Sequence, residues 1–358
     1  MNNVILASGI ALFIGLLGTP LWIRLVVRLG YGQMIREDGV ATHLSKRGTP
    51  TMGGTVIVVG SLLGYAAAHL ITWTQPTISA GLVLFLMTGL GVVGFIDDYI
   101  KVFKQRSLGL RSRAKATGIV IVGVIFAVGC LQFPNEMQIT PADSYLSFLR
   151  DFGPNIGPYL FVLWALILIQ GVSNGVNLTD GLDGLASGTV GLILAAYVII
   201  GNWQFRQSCI VQGLEPHCYW VRDPLDLAVV AAAVLGACFG FLWWNAPPAK
   251  IFMGDTGSLA LGGVLVGLAI TTRTQILLAI LGGLIVLITM SVILQVGWFK
   301  LSGRLLGQNK RLFKMAPLQH HFEMSGWAET TIVVRFWLIC GLCVAAGVGL
   351  FYLEWVPK

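Results

Sequence analysis

The chain has 358 residues, of which 56% are hydrophobic and only 11% are charged, and its mean hydropathy is +0.80. This composition lies well outside that of ordinary soluble domains and excludes a soluble core of this size. The net charge of +7 comes with neither a basic soluble domain nor a recognisable nucleic-acid-binding module, so nucleic acid is not an expected partner.

Apolar runs of about 18 or more residues recur along the whole chain, and each can cross a hydrocarbon layer about 30 Å thick. They must be helices, because lipid offers backbone polar groups no partners. The sequence therefore predicts an all-α polytopic membrane protein, with 1–358 as one transmembrane domain. The first run lacks the basic start and the cleavage site of a signal peptide, so we interpret it as a mature helix. The ten predicted spans are roughly 4–27, 54–73, 79–97, 115–132, 157–175, 184–201, 226–244, 257–272, 276–299 and 331–353.

The 23 lysines and arginines divide unequally between the two sides of this ten-helix arrangement. The lightly charged side holds five of them, Arg150, Arg206, Arg222, Arg273 and Lys358, and the other side holds 18. The basic side is expected to be cytoplasmic, which places both termini on the extracytoplasmic side. The same charge would attract anionic lipids and phosphate-bearing substrates, although setting the topology would also explain it.

Two of the six cysteines, Cys209 and Cys218, lie in the external loop 202–224. An oxidising compartment would allow a disulfide between them. The other four lie in or near predicted spans and are expected to be packing residues.

Four polar segments lie at the basic ends of predicted spans. The first, KRGTPTMGG at 46–54, offers the cations of Lys46 and Arg47 and the hydroxyl of Thr51. Its alternative is a turn followed by a helix start. The second, GFIDDYIK at 94–101, places Asp97 and Asp98 at the end of an apolar span, where carboxylates are costly unless they meet a cation, a proton or water.

The third segment, SNGVNLTDGLDGLASG at 173–188, carries Asn177, Asp180 and Asp183 at every third position. Its glycines suggest a break in the helix near the interface, and Asx turns in a plain loop are the alternative. The fourth, NAPPAKIFMGDTGS at 245–258, places Asp255 just before span 8. Asp255 either caps that helix or holds a cation on an anion bound at the helix N-terminus.

The five aspartates with Asn177 fit a magnesium–phosphate site better than any other chemistry considered. Mg²⁺ prefers oxygen ligands and usually binds through one or two carboxylates together with substrate phosphate. No Ser–His–Asp or Cys–His arrangement indicates a competing nucleophile.

These segments, in this order, resemble the phospho-N-acetylmuramoyl-pentapeptide transferase family, translocase I of peptidoglycan synthesis. The resemblance covers essentially the whole chain. The motifs that carry it are TPTMGG at 49–54, FIDDYIK at 95–101, NLTDGLDGLA at 177–186, FMGDTGSLALGG at 252–263, SVILQ at 291–295 and KMAP at 314–317 with His320 and His321.

The resemblance implies a Mg²⁺-dependent enzyme of the bacterial plasma membrane. It would transfer phospho-MurNAc-pentapeptide from UDP-MurNAc-pentapeptide to undecaprenyl phosphate, giving lipid I and UMP, directly or through an aspartyl intermediate. It also implies Asp255 as the metal ligand, Asp97 as the base for the lipid phosphate, and Asp98 and Asp180 as support for the metal. The expected substrate contacts are Lys46, Thr51, Asn177, Asp183, Gln319, His320 and His321. Membrane lipids are further partners, and a homodimer is left open.

Three features depart from the family pattern. Gln319 occupies the place of the first of three histidines, and Ile288 replaces a glutamate three residues before the SVILQ serine. The segment 301–313 is longer than usual. Three rival functions share some of the same residues: a UDP-HexNAc:polyprenyl-phosphate sugar-phosphate transferase, a transporter with buried aspartates, and an inactive scaffold.

Overall fold

The computed structural model describes residues 1–28, 48–103, 109–209 and 218–353. Within these ranges ten helices are long and apolar enough to cross a membrane, which confirms the predicted number of spans. The elements in chain order are α1 (Asn2–Arg28), α2 (Gly54–Thr72), α3 (Ile78–Phe103), α4 (Ser112–Gln132), β1 (Tyr145–Ser147), β2 (Asp151–Asn155), α5 (Gly157–Thr179), α6 (Leu185–Arg206), α7 (Pro224–Asn245), α8 (Gly254–Thr271), α9 (Leu277–Leu281), α10 (Gly283–Leu306), α11 (Leu318–Glu323) and α12 (Glu329–Leu353).

The predicted span 276–299 is two helices rather than one. Gly282 lies at φ −90° and ψ 23° and separates the short α9 from α10. The helix α10 then continues to Leu306 and ends at Gly307, which has a φ of +64°. A glycine in this left-handed conformation is a common helix C-terminus, and no proline or acidic residue stops the helix earlier.

Helix α8 lies at the centre of the bundle, because 94% of its 18 residues are buried. Its glycines allow two neighbouring helices, α5 and α3, to approach closely. A Cβ at Gly262 would collide with the Ser173 backbone on α5, and one at Gly267 would lie 3.1 Å from Val83 on α3. Lipid supplies no hydrophobic drive between helices, so contacts of this kind between small residues and neighbouring helices hold a membrane bundle together.

The end of the bundle away from the aspartates is closed by polar contacts and a short hairpin. The Asp226 carboxylate, on α7, accepts hydrogen bonds from Tyr65 (2.8 Å) and Thr77 (2.7 Å) and lies 2.8 Å from His69. These contacts join α7 to α2 and to the start of α3. Strands β1 and β2 pair antiparallel. Cys209 and Cys218 form a disulfide, as the spacing allowed.

Candidate active site

The first and fourth polar segments are hydrogen-bonded to each other. The N–H groups of Gly53 and Gly54 donate to the carbonyls of Phe252 and Met253, both at 2.9 Å, and the Phe252 N–H donates to the Pro50 carbonyl at 2.8 Å. The starts of α2 and α8 therefore lie side by side. Residues separated by about 200 positions meet at one end of the bundle.

Three carboxylates meet beside this junction. One oxygen each from Asp97, Asp98 and Asp255 lies within 4.8 Å of the other two. The Lys101 ammonium lies 2.6 Å from both Asp97 and Asp255, and the Lys115 ammonium lies 2.8 Å from Asp255. The aspartates are thus paired with two cations, and because the two lysine side chains are 33% and 20% exposed, the cluster opens to solvent through them.

Asp98 caps the N-terminus of α8. One carboxylate oxygen accepts the Asp255 N–H at 3.1 Å, and the other accepts the N–H and the hydroxyl of Thr256 at 2.9 and 2.7 Å. The expectation of free N–H groups at this helix end, ready for a substrate anion, is therefore wrong for these two residues. The anion that the helix end binds is a carboxylate of the protein itself.

The helix break predicted in the third segment is confirmed. Helix α5 ends at Thr179 and α6 begins at Leu185, with Gly184 at a φ of +77°. Asn177, in the last turn of α5, donates to the Asp255 carboxylate at 2.5 Å and to the Ser258 hydroxyl at 2.8 Å. The amide of Asn177 therefore holds Oδ1 of Asp255, whereas the two lysines contact Oδ2.

Asp180 lies in the turn that follows, close to the Gly254 N–H at the start of α8. Its pKa is raised well above the ordinary value, first by desolvation and then by the nearby charges of Asp255, Asp98 and Asp183. Carboxylates crowded in this way are relieved by a proton or by a cation. Asp180 lies outside the group of three aspartates whose oxygens converge.

Two further predicted residues lie in the walls of the site. The buried Asp183 carboxylate accepts the Ala249 N–H at 3.0 Å, which ties the 180–184 turn to the segment before α8. Thr51 is buried, and a Cβ on Gly254 would lie 3.1 Å from its hydroxyl. Lys46, the remaining cation predicted for this site, lies outside the described residues.

Helix α11 brings one of the two histidines, His320, to the turn that holds Asp180. A Cβ at Gly181 would lie 3.1 Å from Nε2 of His320, and Nδ1 of His320 is 2.6 Å from the buried Glu323 carboxylate. Nδ1 of His321 accepts the Lys314 N–H at 3.1 Å. His320 thus presents one edge to the site while Glu323 holds the other.

Gln319 occupies a different position. It has no exposed surface, and its amide nitrogen donates to the Leu178 carbonyl at 2.8 Å. This contact fastens α11 to the end of α5 and points to a structural role. Its assignment as a substrate contact stays a prediction.

The residues that sequence reasoning missed are those that hold the aspartates. From the sequence, Lys101 and Lys115 count only among the charges of the basic side, Thr256 and Ser258 are only candidate caps of the helix that follows, and Glu323 has no assigned role. Lys101 follows Asp97 by four positions on one helix, a spacing at which ion pairs form, so the sequence held that signal. Lys115 carries no comparable signal, because it is on another helix.

The donor set suits a divalent cation. Asp97, Asp98 and Asp255 offer only carboxylate oxygens, the ligands that hard divalent ions prefer. Asp98 accepts hydrogen bonds from the backbone at the start of α8, whereas Asp97 and Asp255 are paired with partly exposed lysines. A metal ion can displace a lysine more readily than a helix N-terminus, so Asp97 and Asp255 are the better ligands of the three. The cluster can therefore hold a metal against an anionic group, with two lysines beside it.

Comparisons with known proteins agree with this geometry. The family model described as glycosyl transferase family 4 matches residues 80–273, and the phospho-N-acetylmuramoyl-pentapeptide-transferase signature 1 matches residues 46–58. The chain is 63% identical over 358 residues to the phospho-N-acetylmuramoyl-pentapeptide-transferase of Thermobifida fusca, with 100% of each chain covered. It is 60% identical to that of Streptomyces griseus, again with 100% of each covered, and 54% identical to that of Cutibacterium acnes, with 99% of each covered.

Proposed function

Because the chain belongs to the phospho-N-acetylmuramoyl-pentapeptide-transferase family, we propose that it transfers phospho-MurNAc-pentapeptide from UDP-MurNAc-pentapeptide to undecaprenyl phosphate. The products are lipid I and UMP. The supporting observation is the cluster itself: Asp97, Asp255, Asn177 and two lysines, drawn from distant parts of the chain, meet at one end of the bundle. An anionic diphosphate needs this combination of oxygen ligands and cations.

Mg²⁺ is the proposed cofactor. Asp255 and Asp97 would hold the ion. Asp180, the expected second ligand, lies in the turn between α5 and α6. When bound, the ion supplies neutralising charge to the diphosphate of the nucleotide substrate. Lys101 and Lys115, whose ammonium groups lie 2.6 and 2.8 Å from Asp255, add positive charge where negative charge develops on the departing UMP.

The reaction exchanges one phosphorus–oxygen bond for another. An oxygen of the lipid phosphate forms a bond to the phosphorus that carries the sugar, and the bond between that phosphorus and the UMP oxygen breaks. Asp97 accepts the proton of the lipid phosphate. A phosphate monoester loses its second proton near pH 6, so a weak base is sufficient. Direct attack by the lipid phosphate and a route through an aspartyl intermediate both need the carboxylates of this cluster.

The proposed setting is the bacterial plasma membrane, with one transmembrane domain, both termini extracytoplasmic and the active site on the cytoplasmic face. The excess of lysine and arginine at the aspartate end supports this orientation. His320, His321, Asn177, Asp183 and Thr51 would contact the nucleotide or its diphosphate.

Release of UMP by the purified protein, with and without Mg²⁺, tests the assignment. UMP should form only with UDP-MurNAc-pentapeptide, undecaprenyl phosphate and Mg²⁺ together, and Asp255→Asn should reduce kcat by at least about 100-fold, because it removes a charge from the centre of the cluster. Asp143→Asn, in the loop at the opposite end of the bundle, is the matched control. UMP release with UDP-GlcNAc and polyprenyl phosphate, but not with UDP-MurNAc-pentapeptide, would support the rival sugar-phosphate transferase. No turnover by the parent protein would support an inactive scaffold.

A further inference from the structure

The last turns of α10 and the segment after them extend away from the helix bundle. We call residues 297–313 the basic arm. Ser302 is the one buried residue in this range, whereas Trp298, Leu301 and Leu305 are 40%, 46% and 72% exposed. The arm contains the segment 301–313, which is longer than the family pattern and which the proposed reaction does not use.

The arm is an ordered unit with two antiparallel parts. Gln295 accepts the N–H groups of Leu312 and Phe313 at 3.0 and 2.8 Å and donates to the Phe313 carbonyl at 3.1 Å. The Ser302 hydroxyl accepts the Lys310 N–H at 2.9 Å. The segment after Gly307 is therefore folded back along the helix, and its charges have a defined position.

The helical part of the arm is amphipathic. Leu294, Trp298, Leu301 and Leu305 follow one another at intervals of four, three and four residues, so they form one stripe on the helix. Lys300 and Arg304 are four residues apart and lie on the other side, since each helical residue is turned about 100° from the one before it. At the end of a spanning helix, basic charge beside an exposed apolar stripe suits the membrane interface, where apolar side chains meet acyl chains and cations meet headgroups.

All charges on the arm are positive. The chain has no acidic residue between Asp255 and Glu323, and the folded-back segment adds Lys310 and Arg311. Within the described parts of the chain, the side chains of Lys300, Arg304, Lys310 and Arg311 form no ion pair with a carboxylate, and all four residues are exposed. Four unpaired cations next to an apolar stripe complement a layer of anionic headgroups above acyl chains.

We propose that the basic arm docks on the bilayer surface by binding the headgroups of anionic phospholipids. The apolar stripe enters the boundary between headgroups and acyl chains, and the four cations meet the phosphates. This proposal goes beyond the transfer reaction and does not depend on it, because it concerns residues outside the aspartate cluster.

Binding of single lipids to the intact detergent-solubilised protein tests the proposal, with native mass spectrometry as the readout. The parent should retain phosphatidylglycerol in preference to phosphatidylcholine. Each of the double variants Lys300→Gln/Arg304→Gln and Lys310→Gln/Arg311→Gln should lower that preference by at least about fivefold, the value of one basic residue near an anionic surface. Arg111→Gln/Arg113→Gln removes equal charge at the same end of the bundle but away from the apolar stripe, and should lower the preference less than either arm variant does.

The depth of the arm in the bilayer is a second measurement, and a change in charge alone would not alter it. Nitroxide labels at Leu305→Cys and Arg304→Cys, in bilayers containing phosphatidylglycerol, should report the headgroup–acyl boundary and water, respectively. Both labels in water, or equal lipid preference in all variants, would overturn the proposal. So would a loss of undecaprenyl phosphate binding with phosphatidylglycerol preference retained, which would make the arm a substrate-capture surface. Failure of the UMP assay alone would contradict only the transferase assignment.

Discussion

Asp97 and Asp98 are neighbours in the chain, yet their carboxylates have different partners. Asp97 contacts Lys101 at 2.6 Å and accepts the Leu110 N–H at 2.6 Å. Asp98 binds the start of α8 through two backbone N–H groups and one hydroxyl. Adjacent helical residues point about 100° apart, so one carboxylate faces the open cluster and the other faces a neighbouring helix. We interpret Asp98 as a positioning residue for Asp255.

This interpretation predicts a loss of stability at Asp98. Asp98→Asn should lower the free energy of unfolding by about 1–3 kcal/mol, because an amide nitrogen would face backbone donors that then lack an acceptor. Thr256→Val should cost about 1 kcal/mol, because it removes one of the three hydrogen bonds and keeps the shape. Thermal unfolding of the purified protein in detergent measures both changes.

Asn174→Ala serves as a control for the stability series, because among the described residues that side chain bonds only the carbonyl one turn earlier on its own helix, at 2.8 Å. If Asp98→Asn left the unfolding temperature unchanged while turnover vanished, Asp98 would act on the substrate or the metal, and the positioning role would be rejected.

Among the elements, α2 and α8 are in close backbone contact near the site. A Cβ at Gly54 would collide with the backbone nitrogen of Gly257, and the Gly54 N–H donates to the Met253 carbonyl at 2.9 Å. Backbone atoms cannot move aside as a flexible side chain can. The relative position of these two helices, and hence the position of Asp255, depends on a glycine at 54.

Gly54→Ala should therefore destabilise the protein by about 1–3 kcal/mol, the usual cost of overpacking, and should reduce turnover by displacing the start of α8. Gly81→Ala is the matched control, since it lies in α3 with nothing within 4 Å of a Cβ. Unfolding temperature and UMP release of both variants are the measurements. Equal behaviour of the two variants would show that the contact between α2 and α8 is not needed.

At the scale of the whole molecule, the alternating helices place every described site residue at one end and the Cys209–Cys218 disulfide at the other. The two ends also differ in charge, which is the property that orients membrane proteins during insertion. A disulfide is stable in an oxidising compartment and rare in the cytosol. The disulfide and the charge distribution therefore support the same orientation.

Whole-cell labelling tests this orientation. After treatment with a membrane-impermeant reductant, an impermeant maleimide should label Cys209 and Cys218 in intact cells, because their loop faces outward. A cysteine introduced as Arg113→Cys, at the aspartate end, should be labelled only after the cells are opened. Labelling of Arg113→Cys in intact cells, with the reduced pair protected, would invert the proposed topology.

The number of spans and the helix break at 180–184 could be predicted from the sequence. It also pointed to five candidate aspartates, of which Asp97, Asp98 and Asp255 converge in the structure. Hydropathy and glycine act locally, and a charged residue at the end of an apolar span is visible in the chain itself. The tertiary structure alone decided which carboxylate faces the cluster, that Lys115 joins it, that Gln319 is buried and that Asp98 caps α8. Each of these depends on how helices distant in sequence are rotated and packed against one another, and no local pattern encodes that rotation.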